Sequence, residues 1–318
     1  MSTDSSVVLV EGPWQHRFVS ANGSRFHVAE CAPPDQPDAP LVLLLHGFPQ
    51  FWWAWRHQMT QLAAAGYRAV AMDLRGFGGS DKPPRGYDAF TLAADVAGVI
   101  RSLGAAQAVV VGHGWGAWIA WAMPALEPRT TRAVAVLGTA HPLRTFTALV
   151  DPRNVMSLRH VLAFQAPVHP ERQLLTGSLV SELLDRWSGP GWPSPEEAER
   201  YEEAIAIPSV AHSAMEYYRW AFRSRVRTDG RRFTQALRHT VAVPVLQLHG
   251  ALDGQVPPAQ ARGSSRWVRG DYSWHLLEGA GHFLAEEAPE QVSGLLVSWL
   301  AELGSPGSTD DWDEAGSA

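Results

Sequence analysis

Near-continuous apolar runs at Leu41–Leu45, Ala69–Met72, Ala108–Val111 and Ala133–Leu137 alternate with segments of helical apolar spacing, Gln58–Ala65, Thr91–Leu103 and Trp115–Leu126. A strand with no polar side must be covered on both faces, and a helix between two such strands supplies both the cover and the crossover. The alternation therefore predicts an α/β chain with a parallel sheet flanked by helices. After His141 the rhythm changes. From about Arg144 to Arg238 there are helical patterns, such as Glu196–Ile205 and Ala211–Arg223, and no clear strand. Strand-like runs return at Val243–Leu248 and Trp274–Leu277, and a helical pattern from Pro289 to Leu303 closes the series. The expected organisation is a core over 1–143 and 240–303, a helical insertion over 144–239, and a mobile tail rich in Gly, Ser and acid over 304–318.

Composition removes several function classes. With 46% hydrophobic residues in 318, a mainly disordered chain is excluded. Cys31 is the single cysteine, so neither an intramolecular disulfide nor a cysteine metal cluster can form. A net charge of -6 gives no general attraction to nucleic acid or anionic lipid. The basic run Arg223, Arg225, Arg227, Arg231 and Arg232 reads as a solvated face or as ion-pair partners rather than a nucleic-acid patch. Met1–Val10 lacks the basic start and long apolar stretch of a secretory signal. The longest apolar stretch, Ala117–Leu126, contains Pro124 and falls far short of the ~20 residues of a membrane span. A cytoplasmic protein is expected, with no membrane or nucleic-acid partner; a homodimer is left open. The histidines show no metal-ligand spacing, so no metal and no cofactor is expected.

Between the run Ala108–Val111 and the helical pattern at Trp115 lies Gly112-His113-Gly114-Trp115-Gly116-Ala117. Two motif grammars compete for it. In a nucleophile elbow, small residues at both ends allow a sharp strand-to-helix turn that presents the middle side chain above the sheet. In a dinucleotide fingerprint, the same glycines cradle a pyrophosphate at a helix N-terminus. The fingerprint should follow the first strand of its unit, and this strand comes well into the sheet. An acid is expected about 20 residues on, whereas the following strand ends Leu137-Gly138-Thr139. Trp115 also puts bulk where phosphate must approach. The elbow is the better reading.

The surrounding motifs resemble the α/β-hydrolase superfamily, specifically its branch of epoxide hydrolases and haloalkane dehalogenases. His46-Gly47-Phe48-Pro49 with Trp52-Trp53 and Trp55-Arg56 resembles the oxyanion loop of that branch. Asp73-Leu74-Arg75-Gly76 through Gly79-Ser80-Asp81-Lys82-Pro83 resembles its next loop. His249-Gly250-Ala251-Leu252-Asp253 and Gly279-Ala280-Gly281-His282-Phe283 resemble its acid and base motifs. The resemblance runs from about His16 to Leu303 and implies an α/β-hydrolase fold whose insertion is a helical cap. One departure dominates. The branch carries aspartate at the centre of the elbow and related esterases carry serine, but this chain has Gly114. Covalent catalysis needs an oxygen or sulfur nucleophile there, so no ester intermediate can form on residue 114. His113 precedes the centre, where proteins of this branch carry histidine without using it as nucleophile.

The resemblance implies that His282 is a general base, oriented by Asp253, and that the N–H groups of Phe48 and Trp115 form an oxyanion hole that glycine at 114 leaves intact. In the insertion, Met215-Glu216-Tyr217-Tyr218-Arg219-Trp220 resembles the segment whose tyrosine donates to the epoxide oxygen, with Tyr218 at the matching position. A second tyrosine, expected near Phe164-Gln165, is absent, and His160 is a candidate substitute donor. Phe48, Trp52, Trp115, Phe164 and Trp220 suggest an apolar pocket for a small molecule, with Trp52 among its substrate contacts. Three accounts follow. An enzyme without a covalent step uses His282 and Asp253 to activate water or abstract a proton from a small apolar epoxide, ester or ketone. A binding protein keeps the pocket without turnover. An epoxide hydrolase has lost its aspartate to glycine in this particular chain.

Overall fold

The computed structural model describes residues 4–34, 36, 38–148 and 155–304 of the chain. All but the first residue of the expected tail lies outside them. Eight strands form one sheet in the order β1-β2-β4-β3-β5-β6-β7-β8: β1 (Gln15–Ala21), β2 (Ser24–Cys31), β3 (Leu41–Leu45), β4 (Arg68–Met72), β5 (Ala108–His113), β6 (Thr131–Leu137), β7 (Val245–Gly250) and β8 (Tyr272–Leu277). From β4 to β8 every neighbouring pair is parallel. All five residues of β3 and all six of β5 are buried, as strands covered on both faces must be.

Sequence periodicity missed β1 and β2. They pair with each other, and β2 with β4, antiparallel. Their apolar residues are diluted because β1 lies at the sheet edge and leaves alternate side chains exposed. A signal was nevertheless present: Asn22-Gly23 joins them with φ of 45° and 70°, the positive values that a tight hairpin turn requires.

The core helices are α1 (Arg56–Ala64), α2 (Ala89–Ser102) and α3 (Trp115–Leu126). Between β6 and β7 the described chain is helical: α4 (Pro142–Ala148), α5 (Val155–Ala163), α6 (His169–Thr176), α7 (Leu179–Trp187), α8 (Pro195–Ala206), α9 (Val210–Arg223) and α10 (Thr228–Ala236). The α8 start has a reciprocal Ser194–Glu197 capping box, which satisfies donors that a helix end leaves open. After β7 come α11 (Pro258–Arg262), α12 (Leu284–Glu287) and α13 (Pro289–Glu302).

The helical segment is bonded to the core by buried polar contacts. Tyr217 donates to the Arg75 carbonyl at 2.8 Å, and Tyr201 donates to Glu286 at 2.5 Å. Glu286 also receives Arg56 at 2.5 Å, and Arg56 reaches Glu197 of α8 at 2.8 Å. The basic run is dispersed locally: Arg227 pairs with Asp229 at 3.2 Å, and Arg232 lies over the Phe90 ring at 5.4 Å. Among the described residues no helix is long and apolar enough to cross a membrane, and no group of three or more metal-ligating side chains occurs.

Candidate active site

Parallel strands end on one edge of the sheet, and a ligand site belongs in the loops beyond those ends. The turn after β5 is sharp enough that a Cβ on Gly112 would stand 2.2 Å from the Gly116 carbonyl oxygen, and one on Gly116 would stand 2.1 Å from the Leu45 carbonyl oxygen. Both positions must be glycine for α3 to start so close to β3 and β5. Gly114, between them, has φ 53° and ψ −115°, a conformation open to glycine and strained for a side-chain-bearing residue. A Cβ there would stand 3.6 Å from His282 Nε2 and 4.0 Å from the Phe48 nitrogen. The elbow thus aims its centre at the predicted base and the predicted donor loop, but the centre carries no side chain.

His282 and Asp253 meet as the sequence implied. Nδ1 of the fully buried His282 lies 2.9 Å from Asp253 Oδ2. The N–H groups of Gln255 and Val256 each donate to Asp253 Oδ1 at 2.8 Å, so the carboxylate is fixed at both oxygens. With Nδ1–H donated to this carboxylate, the Nε2 lone pair faces the elbow. Among the described residues Nε2 has no hydrogen-bond partner, and neither do the N–H groups of Phe48 and Trp115. His282 Nε2 and the Phe48 nitrogen therefore flank the place above Gly114, and the Trp115 N–H follows it at the first residue of α3.

The loop bearing His282 is itself held. Its N–H donates to the Trp187 carbonyl at 2.8 Å, and His113 Nε2 bonds its carbonyl at 2.8 Å. Glu287 gathers the N–H groups of Gly281, Gly189 and Phe283 at 2.6, 2.7 and 2.7 Å. His113 packs its ring 4.7 Å from that of His282 and lies 2.8 Å from Gln50. Burial, reinforced by the neighbouring His282, holds His113 neutral, with its pKa well below the ordinary imidazole value. His113 is thus a bracket for the base. His249, which sequence reasoning did not select as a site residue, places Nε2 3.3 Å from Asp253 Oδ2 while donating to the Val256 carbonyl at 2.8 Å.

A cavity of about 110 Å³ opens over Gly114 and His282, with Phe48, Trp115, Trp118, Val161 and Phe222 among its walls. Tyr218 and His160 both line it. The adjacent tyrosines of α9 separate cleanly: Tyr217 is turned into the core, whereas Tyr218 faces the cavity beside Phe48 and Trp115. Burial drives the Tyr218 pKa far upward, against hydrogen bonds from the Trp115 and Gln255 side chains, so the phenol keeps its proton. His160 Nε2 lies 3.5 Å from the Gln255 amide nitrogen. Gln255 is a cavity residue that no sequence motif announced.

Trp52 is a correction. It is fully buried elsewhere, its indole donates to the Val8 carbonyl at 2.7 Å, and its ring packs 5.2 Å from Trp14. Position in the loop next to Phe48 suggested a pocket wall, but the short 3₁₀ turn Trp52–Trp55 carries the ring away from the cavity.

Residues 40–289 match the family described as alpha/beta hydrolase fold. Epoxide hydrolase B of Mycobacterium tuberculosis is 49% identical over 353 aligned positions, 91% of this chain and 98% of that one. Epoxide hydrolase A of the same organism is 31% identical, covering 90% and 97%. Among solved structures, an epoxide hydrolase from an endophytic Streptomyces superposes with TM-score 0.78 at 29% identity, over 92% of this chain and 97% of that one. With its mostly parallel sheet, sharp elbow and ordered acid and base loops, the chain belongs to the α/β-hydrolase fold family, in the epoxide hydrolase-like branch, and is an enzyme of hydrolase type.

Proposed function

We propose that the protein hydrolyses a small apolar epoxide by direct attack of water, with no covalent bond to residue 114. The observation that carries this is the approach of His282 Nε2 to within 3.6 Å of the place where a Gly114 Cβ would stand, while Nδ1 lies 2.9 Å from Asp253. A water above Gly114 donates to Nε2 and accepts from one of the Phe48 and Trp115 N–H groups, which leaves a lone pair for attack. As its oxygen attacks the epoxide carbon, His282 takes its proton and Asp253 stabilises the imidazolium. The epoxide C–O bond breaks, the departing oxygen takes the Tyr218 phenol proton, and the His282 imidazolium then returns a proton to the Tyr218 phenolate through solvent. His160 and Gln255 are the polar neighbours that orient this end of the substrate. In this reading the helical segment over 144–239 acts as the cap that closes an apolar chamber over the base.

Styrene oxide, a small aromatic epoxide, tests the scheme. Turnover in H2¹⁸O should label the diol from the first turnover, with no mass adduct on the protein, and His282→Gln should slow it about 10²-fold or more. An unchanged rate in that variant removes the mechanism. Tight ligand binding without turnover in either protein would identify a binding protein instead.

A further inference from the structure

The same site has a property that water alone does not use. Gly114 removes the side chain but retains what would surround one: two backbone donors, an imidazole nitrogen without a hydrogen-bond partner among the described residues, and a glycine-only turn that points at them. A first atom placed on Gly114 would stand 3.2 Å from Gly47 Cα, 3.6 Å from His282 Nε2 and 4.0 Å from the Phe48 nitrogen. The next atoms outward would enter the cavity that Gly114, Phe48, Trp115 and His282 line together. The N–H of Trp115, at the start of the twelve-residue α3, and that of Phe48, in the loop after β3, suit an anion with two oxygens. The side of the cavity bearing Tyr218 supplies the proton donor that an opening epoxide needs.

We infer that the elbow binds a small free monocarboxylate, formate or acetate, and uses it as the nucleophile that residue 114 does not provide. This rests on the proposed reading for its base, donors and epoxide substrate, but not for its attacking group. The steps balance. A carboxylate oxygen attacks an epoxide carbon; the ring C–O bond breaks toward oxygen, which takes the Tyr218 proton, and a free hydroxy-ester results. Water then gives a proton to His282 and adds to the ester carbonyl, whose oxyanion rests on the Phe48 and Trp115 N–H groups. The acyl C–O bond breaks, the alkoxide takes the proton back from His282, and diol and carboxylic acid form. The acid returns its proton to the Tyr218 phenolate, so the carboxylate is regenerated. Chain length should matter, because a longer acyl tail must compete with Gly47 and the epoxide for the same space.

Formate doubly labelled with ¹⁸O decides the matter, with styrene oxide as substrate and chloride at equal ionic strength as control. The expected results are a saturable rise in diol formation, one formate ¹⁸O in each diol, and release of the monoformate ester by His282→Gln. Gly114→Asp, which tethers a carboxylate at the same place, should make turnover insensitive to added formate. Amide NMR signals of Phe48 and Trp115 in the native protein should shift saturably with formate, independently of any variant. Absence of that shift overturns the site. A shift without label transfer overturns the nucleophilic role. Diol labelled only from water, at a rate formate does not change, overturns this inference while leaving direct water attack standing.

Discussion

Two neighbouring tyrosines of α9 make opposite commitments, and the difference is testable one atom at a time. The Tyr217 hydroxyl is spent on the Arg75 carbonyl at 2.8 Å, while Tyr218 lines the cavity and burial keeps its phenol protonated. Tyr218→Phe is therefore expected to lower styrene oxide turnover about 10²-fold, the usual cost of one transition-state donor, with ligand affinity nearly kept. Tyr217→Phe should leave turnover unchanged and reduce stability by about 1 kcal/mol, the net worth of a buried hydrogen bond. Steady-state rates and urea unfolding on the two variants separate the roles, and reversed results would reassign the donor. The sequence showed that a tyrosine pair was present next to an arginine. Resemblance to a known donor segment pointed to Tyr218; that Tyr217 turns instead into the core was not legible, because that depends on how α9 lies against the core.

At the scale of elements, the strand–turn–helix from β5 to α3 is the piece on which the site depends. Its glycines act through contact as much as through conformation: a methyl on Gly116 would meet the Leu45 carbonyl oxygen at 2.1 Å, backbone that cannot turn aside. Gly116→Ala should destabilise the fold by about 1–3 kcal/mol, as overpacking does. It should also lower turnover, because α3 and the Trp115 N–H must back away. Urea denaturation with a parallel rate measurement checks both, and a variant of native stability would show that β3 and α3 are less closely seated. This element was legible in sequence because Gly-x-Gly-x-Gly after an apolar run admits few geometries. The β1–β2 hairpin was not read, although Asn22-Gly23 marked its turn, because edge strands carry little periodicity.

For the whole molecule, the burial that builds the core also makes it sensitive to acid. His46, His113, His141 and His249 are all buried, and burial pushes each below the ordinary 6.5, His141 to about 3. These groups bind protons in the unfolded chain before they do in the folded one, so stability present above 6.5 is lost as pH falls below it. The expected slope is about 1.4 kcal/mol per pH unit for each such histidine. Burial raises Glu286, Glu287 and Asp95 instead, and these carboxyls oppose the trend between their ordinary and raised values. Urea midpoints should change little from about pH 7.5 to 6.5 and fall markedly by about pH 5.5. His141→Phe, which removes a ring stacked 4.8 Å from Trp267, should make that fall shallower. An equal slope in the variant would mean that His141 titrates alike in both states.

The sequence by itself determined the parallel core and the elbow with glycine at its centre, and it pointed to a candidate acid and base in the right order. The first two follow from local rules: apolar runs must be covered, and sharp turns need glycine. The acid and base came from the likeness of their motifs to a known family. Only the tertiary structure decided that Asp253 reaches His282 at 2.9 Å, that Gln255 lines the cavity with Tyr218, and that Trp52 lies outside the chamber. Glu287 and His113, which hold the loop of the base, became visible only there as well. Such contacts join residues far apart in sequence, and their geometry is set by how whole elements pack. No single segment carries that information.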